Sequence, residues 1–241
     1  MLIDLHAHSS GISKCCEIAY DGAIRAAKEK GLDGIVLTNH YQKAYVKDGD
    51  SLAFAKRYIE EFRIAKAYGD SIGFKVFFGA EVTMEKYGGA HLLLYGITED
   101  FLLENSTLFD FTMQEMRDTV KRFNDKAAIV QAHPYRKVKN LLPVEFLDGV
   151  EVNCHPLYGK SDFSDMVKIA GERNLILTCG GDYHADTYRP ECGVYLPDTL
   201  SDSVELAHYL LTSPTLTLHI QEPNTDTPYD FEWKNPLTAH V

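Results

Sequence analysis

Several things are missing from this sequence, and each absence narrows what the chain can be. In 241 residues no apolar run comes near the length of a membrane-spanning helix, about 18 residues or more. The N-terminus lacks a basic region followed by an apolar stretch, so the expectation is a soluble, cytoplasmic protein with no membrane partner. Basic residues are in deficit: Lys and Arg number 24 against 35 Asp and Glu, for a formal charge of −11. Such a surface would repel a long polyanion, which argues against an extended nucleic-acid surface but allows a small anion in one locally positive pocket. The 5 cysteines form no C-x-x-C pair and are odd in number, fitting neither a disulfide framework nor a zinc ribbon. Cys15 and Cys16 are adjacent and read as reduced thiols. No Pro/Gly/Ser-rich linker, internal repeat or low-complexity block interrupts the chain. One domain over residues 1–220 is the simplest organisation. The polar stretch 221–241, "QEPNTDTPYDFEWKNPLTAHV", reads as an irregular tail packed on it.

What is present is an alternation of short apolar runs with helical patterns, and a hydrophobic fraction of 45% suffices for a full core. Strands are predicted at Leu2–Leu5, Gly34–Thr38, Lys75–Val82, His91–Tyr95, Ala128–Ala132, Gly149–Asn153, Leu175–Cys179 and Thr215–Ile220. Each is mainly β-branched or aliphatic and short, as expected of strands covered on both faces. Helices are predicted over Ala19–Lys30, ending at Gly31, and over Ser51–Tyr68, Thr112–Asn124, Ser161–Arg173 and Ser201–Leu211. The alternation predicts an α/β fold on a mainly parallel sheet, open or closed into a barrel.

Histidines and acids fall on this map in a pattern. His6 and His8 lie at the end of the first strand, two apart and so on one face. His40 follows "GIVLTN", Glu81 ends "KVFFGAE", His133 closes "AAIVQAH", and Asp182 and His184 follow "LILTCGG". His91 begins "HLLLYG" and is the exception, at the start of its run rather than the end. Strand ends are where chemistry gathers in barrel enzymes, and Glu81 on an apolar strand calls for a partner. Six imidazoles and two carboxylates are too many for one ion. They suit two or three borderline first-row ions, with one carboxylate bridging. Paired ions of this kind clamp the attacking and leaving oxygens in phosphoryl-ester hydrolysis.

The stretches "DLHAHS", "GIVLTNH", "FFGAEV", "AHPYR", "GVEVNC" and "CGGDYH" stand in the order and rough spacing of one family. Together they resemble the polymerase-and-histidinol-phosphatase (PHP) family over residues 2 to about 184. The resemblance implies a distorted (β/α)7 TIM-like barrel with two or three divalent ions (zinc, manganese or iron). It also implies a hydrolase acting on phosphoric esters. Carried over by position, His6, His8, Glu81 and Asp182 resemble ligands of a first ion. Glu81 resembles the bridge to a second, completed by His91 and His133, and His40 and His184 resemble two ligands of a third. One departure stands out. Where the family places an aspartate or histidine ligand, Ser13 is followed by Lys14, whose ammonium has no lone pair to donate. Either Cys15 enters as a thiolate, or the third ion is weakly held, or that site is empty. Lys14 itself either fixes a phosphate oxygen or points outward.

The expected reaction is hydrolysis of a small phosphomonoester, less readily a phosphodiester, by a metal-activated hydroxide. Asp182 and His184 are the catalytic candidates, and His184 or a bound water would be the general acid. Arg136 and Arg189, on loops after His133 and His184, are candidates for gripping phosphate through the guanidinium fork. His155 is a further substrate-side candidate or pocket wall. Glu151, inside "GVEVN", should face inward to hydrogen-bond a ligand histidine or a loop. Tyr135, Tyr158, Tyr183 and Tyr188 crowd the same loops, while His208, His219 and His240 read as structural. Two alternatives remain open: a metal-dependent amidohydrolase or deaminase, for which no carbamylatable strand lysine is evident, and a degenerate metal-binding, non-catalytic domain.

Overall fold

Leu2–Ala7 (β1) is buried at every residue, as are Gly34–Leu37 (β2), Ala90–Tyr95 (β5), Ala128–Gln131 (β6), Gly149–Asn153 (β7) and Ile176–Gly180 (β8). Two-sided burial is why these segments are continuous apolar runs rather than alternating ones. The computed structural model describes residues 1–136, 141–156, 160–185 and 187–238. The remaining strands are His40–Tyr41 (β3), Lys75–Met84 (β4), Gly193–Tyr195 (β9), Thr215–Ile220 (β10) and Tyr229–Lys234 (β11). The helices are Tyr20–Glu29 (α1), Ser51–Ser71 (α2), Glu99–Glu104 (α3), Met113–Phe123 (α4), Lys160–Arg173 (α5) and Ser203–Thr212 (α6).

All the strands join one sheet in the order β11-β10-β9-β1-β2-β4-β5-β6-β7-β8, with β3 alongside β4. The sheet curls until the end of β8 returns to β1. Ala7 bridges Tyr183 in parallel, and the Asp182 N–H donates to the His6 carbonyl at 2.9 Å. The result is a mixed α/β fold with a nearly closed, barrel-like sheet, whose eleven strands among the described residues exceed the seven expected. Three segments added strands that periodicity did not announce: the two-residue β3; β9, a short run after a loop; and finally β11. The last corrects the reading of 221–241 as irregular, because Tyr229–Lys234 pairs antiparallel with the whole of β10. Its residues are mostly exposed or half-buried, which is why the segment looked like a polar tail.

The sheet is also less parallel than expected. β1–β2, β2–β4, β6–β7 and β7–β8 are parallel, but β5 runs antiparallel to both β4 and β6. That reversal explains His91. The N-terminal end of β5 lies at the same end of the barrel as the C-terminal ends of its parallel neighbours, and His91 pairs in register with Thr83 near the end of β4. Helix starts follow local chemistry. Thr112 and Glu115 form the capping box of α4, while Asp50 and Asp202 cap α2 and α6. Asn174 and Gly31 take left-handed backbone at φ 53° and 82°, ending α5 and α1 as their types suggest. No helix among the described residues is long and apolar enough to cross a membrane.

Candidate metal centre

Glu81, near the end of β4, is fully buried, and five imidazoles converge on its carboxylate. Oε1 lies 2.5 Å from Nδ1 of His91, 2.8 Å from Nε2 of His133 and 3.6 Å from Nε2 of His6. Oε2 lies 2.5 Å from Nδ1 of His40 and 3.5 Å from Nε2 of His8. Asp182 Oδ1 closes the other side, 3.4 Å from His6 Nε2 and 3.1 Å from His8 Nε2. Three overlapping donor sets result, each with its ligand atoms within 4.8 Å of one another: His6, His8, Glu81 and Asp182; His40, Glu81 and His91; and His8, His40 and His184. All eight residues expected to hold metal are therefore at one end of the barrel, with Glu81 at the centre.

Two features show that these groups fit ions better than they fit one another. His6 Nε2, His40 Nδ1 and Glu81 Oε2 are buried and make no hydrogen bond, although oppositely charged atoms lie close by. Their lone pairs share space without lining up along a donor–hydrogen axis, as donors around a cation do. In addition, His133 and Asp182 sit at φ 28° and 48°, a region that disfavours side chains, so the backbone is held in a costly conformation at two ligands.

The carboxylates and two of the imidazoles are in protonation states that suit ion binding. Against the cost of burial, by contrast, Glu151, Asp182 and Glu81 hold His6 well above its usual range, Glu81 raises His40 to about 10, and Cys15 and Asp182 raise His184. Burial works against ionised Glu81, but the imidazoles of His91, His40 and His6 outweigh it and hold the carboxyl well below its usual range. Asp182 is held down in the same way by His6, His8 and His133 against the cost of burial. Burial pushes His91 down to about 4, and burial with repulsion from His184 and His40 depresses His8, so both imidazoles are neutral and carry lone pairs at pH 7.

Surrounding groups aim the ligands. Glu151 Oε1 lies 2.7 Å from His6 Nδ1, and its Oε2 accepts the His133 backbone N–H at 2.9 Å, the inward orientation expected from its strand position. Asp4 Oδ1 accepts the backbone N–H groups of His6 and Gly181, each at 2.9 Å, and so clamps β1 to the loop bearing Asp182. Ser13 Oγ lies 3.1 Å from His8 Nδ1, donates to Asn39 Oδ1 at 2.8 Å and accepts the His40 N–H at 3.0 Å. Sequence reasoning did not single out Asp4, Ser13 or Asn39. An aspartate inside the apolar run "LIDLHA" was a signal for the first; the other two carry none.

An open cleft of about 640 Å³ exposes the cluster, lined by Cys15, His40, His91, His133, Arg136, His155, Asp182 and His184. Arg136 pairs with Asp182 Oδ2 on its wall. His155 packs edge-on to Tyr188 with ring centroids 4.5 Å apart, and burial lowers its pKa to about 4. Two expected phosphate ligands lie elsewhere. The Lys14 ammonium rests over the Tyr45 ring, 4.8 Å from its centroid, and Lys14 is not on the cleft wall. The Arg189 side chain is buried, with Nη1 3.1 Å from Asp4 Oδ2 and its guanidinium over the Tyr183 ring. Tyr183 is buried and Tyr135 exposed, while the Tyr188 hydroxyl donates to the Asp182 carbonyl at 2.7 Å. His219 pairs with Asp230 away from the cluster; Tyr158 and His240 lie outside the described residues.

No family model matches the chain, and no curated protein does. Solved structures share its fold at low identity. A protein described as a metal-dependent phosphoesterase, from Bifidobacterium adolescentis, is 16% identical with a TM-score of 0.50, covering 86% of this chain and 95% of that one. PsfC from Pseudomonas syringae is 16% identical with a TM-score of 0.61, covering 85% and 86%. An amidohydrolase from Chromobacterium violaceum, with bound sulfate, is 14% identical with a TM-score of 0.56, covering 87% and 97%. At these identities the likeness is one of fold.

Proposed function

We propose that this chain is a metal-dependent phosphoesterase of the PHP type, built on the nearly closed, barrel-like sheet and hydrolysing a small phosphomonoester. The observation that carries the reading is Glu81, one carboxylate shared by five imidazoles, beside an arginine on the wall of an open cleft. His6, His8, Glu81 and Asp182 would hold one divalent ion, Glu81, His91 and His133 a second, and His40 with His184 a third. Bound divalent ions would stabilise charge on phosphoryl oxygens and bring the pKa of a water from about 15.7 towards 7.

The chain's own groups do the rest. Arg136 offers a planar fork to two phosphoryl oxygens, exchanging its contact with Asp182 for the substrate. His155, backed by Tyr188, forms the wall against which the leaving group packs. His184 Nδ1 sits 2.8 Å from the Asp182 carbonyl, which only accepts, so Nδ1 carries a proton and Nε2 is the atom that would meet an ion. That tautomer suits a ligand better than a general acid, and protonation of the leaving oxygen is assigned to water in the open cleft.

The amidohydrolase reading is supported by the fold likeness to the Chromobacterium protein. Against it, no lysine is among the described residues lining the cleft. The test is a screen of protein loaded separately with zinc, manganese and iron against phosphorylated metabolites and an equal set of amides, with Asp182→Asn as control. Turnover of phosphomonoesters that Asp182→Asn abolishes is expected. Turnover of amides alone, or activity surviving that substitution, would overturn the reading.

A further inference from the structure

Ser9, Ser13 and Asn39 decide which residue of the loop after β1 meets the metal centre. The Ser13 N–H donates to the Ser9 carbonyl at 3.0 Å and the Cys16 N–H to the Ser13 carbonyl at 2.9 Å, making a tight turn. Ser13 is pinned inward by His8, Asn39 and the His40 N–H. The Lys14 N–H then donates to the Tyr45 hydroxyl at 3.1 Å, and its side chain follows onto that ring. Cys16 is buried, with its thiol 3.5 Å from the Ile18 carbonyl. Of the three residues after Ser13, only Cys15 lines the cleft. Its thiol accepts from the Tyr45 hydroxyl at 3.9 Å and faces the same cleft as His40 and His184.

We propose that Cys15 is a thiolate ligand that, with His40 and His184, holds a divalent ion at the outer end of the cluster. The assignment rests on the metal-centre reading above and departs from the family's oxygen or nitrogen ligand at Lys14. Three observations carry it. His40 and His184 already stand with His8 in a donor set whose atoms lie within 4.8 Å of one another. The His40 side chain is nine-tenths buried and its ring is fixed at the cluster by Glu81 Oε2, 2.5 Å from Nδ1. Cys15 itself is exposed, so an incoming ion reaches sulfur without crossing the core.

Binding replaces the S–H bond with a sulfur–metal bond and releases the thiol proton to solvent. A set of two imidazoles and one thiolate is soft for this family. It favours Zn2+, Co2+ or Fe2+ and works against Mn2+ and Mg2+, which prefer oxygen. One position thus sets the ion preference of the site.

The test uses Co2+ as the probe, with wild type, Cys15→Ser and Cys15→Asp each freed of metal and reloaded. Elemental analysis counts ions per chain, and difference spectra isolate the near-ultraviolet sulfur-to-cobalt charge-transfer band belonging to Cys15. Differencing is needed because Cys154, Cys179 and Cys192 also gather their sulfurs within 4.8 Å in the core. The expected result is a band in wild type that Cys15→Ser lacks, with about one ion equivalent lost in that variant. Cys15→Asp should regain the ion without the band and take Mn2+ more readily. Iodoacetamide labelling of Cys15, located by mass spectrometry, should slow at least about tenfold on loading. An unchanged difference spectrum and ion count in Cys15→Ser, with ions bound, would overturn the ligand assignment alone. Wild type that takes up no ion would overturn the metal-centre reading with it. Neither outcome depends on knowing the substrate.

Discussion

Glu151 Oε1 lies 2.7 Å from Nδ1 of His6, and the same carboxylate's other oxygen accepts the backbone N–H of His133 at 2.9 Å. One buried acid thereby orients two proposed ligands from different strands. It directs the proton of His6 to Nδ1 and leaves Nε2 facing Glu81 and Asp182.

Glu151→Gln should therefore weaken metal binding by about 10–100-fold, the usual effect of losing a partner behind a ligand. Competition against a chelator of known affinity measures it. Unchanged affinity would mean that His6 is oriented by its packing alone.

Arg136 and Arg189, indistinguishable as loop arginines in sequence, should separate cleanly on substitution. Arg136→Ala should lower kcat/KM on a phosphomonoester by about 10–100-fold, the 1.5–3 kcal/mol of hydrogen bonds to a charged group. Arg136→Lys should recover only part, because an ammonium lacks the fork. Steady-state kinetics decides; equal activity in all three proteins would remove Arg136 from substrate binding.

Arg189→Ala should instead cost about 3–5 kcal/mol in urea unfolding, since it strands the buried Asp4 carboxylate. The effect should depend on pH. Burial, with the neighbouring Cys192, raises Asp4 to about 7, and Arg189 limits that rise. A carboxyl raised in the folded state favours folding while protonated, so stability falls as pH climbs from about 4 and levels off above the folded value, by up to about 1.4 kcal/mol per pH unit. Without Arg189 the decline should continue past pH 7. Unfolding curves at pH 6, 7 and 8 that run parallel to wild type would count against the pairing.

Gly180 has no space for a side chain: a Cβ would stand 2.4 Å from the His6 Cβ and 2.9 Å from Glu151 Oε1. Gly180→Ala should destabilise by about 1–3 kcal/mol through overpacking and also weaken metal binding. Thermal unfolding and chelator competition read the two effects. A fully stable, fully loaded variant would show that β8 shifts away freely.

Stripping the protein with a chelator should lower its melting temperature. An ion present at 100 times its dissociation constant contributes about 2.7 kcal/mol to the folded state. Calorimetry before and after reloading checks this; coincident transitions would mean that the cluster is stable unmetallated.

Much of the site was legible in the chain itself. His6, His8, Glu81, His133, Asp182 and His184 announced themselves because a strand end is local: an apolar run followed by a donor residue needs no partner to be seen. The same logic failed for His91, whose strand reverses direction, and for β9 and β11, which hold their place by pairing rather than by burying both faces. The loop after β1 shows the limit most plainly. Sequence placed Ser13, Lys14 and Cys15 next to one another and showed Lys14 where the family it resembles carries a ligand. Which of them turns inward is determined by hydrogen bonds from Ser13 to Asn39 and His40, 26 and 27 residues away. Side-chain chemistry is written residue by residue, whereas side-chain direction in a turn is imposed by whatever distant groups anchor it. Sequence thus determined which donors are available, and only the tertiary structure decided that Cys15 and Arg136 face the cleft while Lys14 and Arg189 turn away.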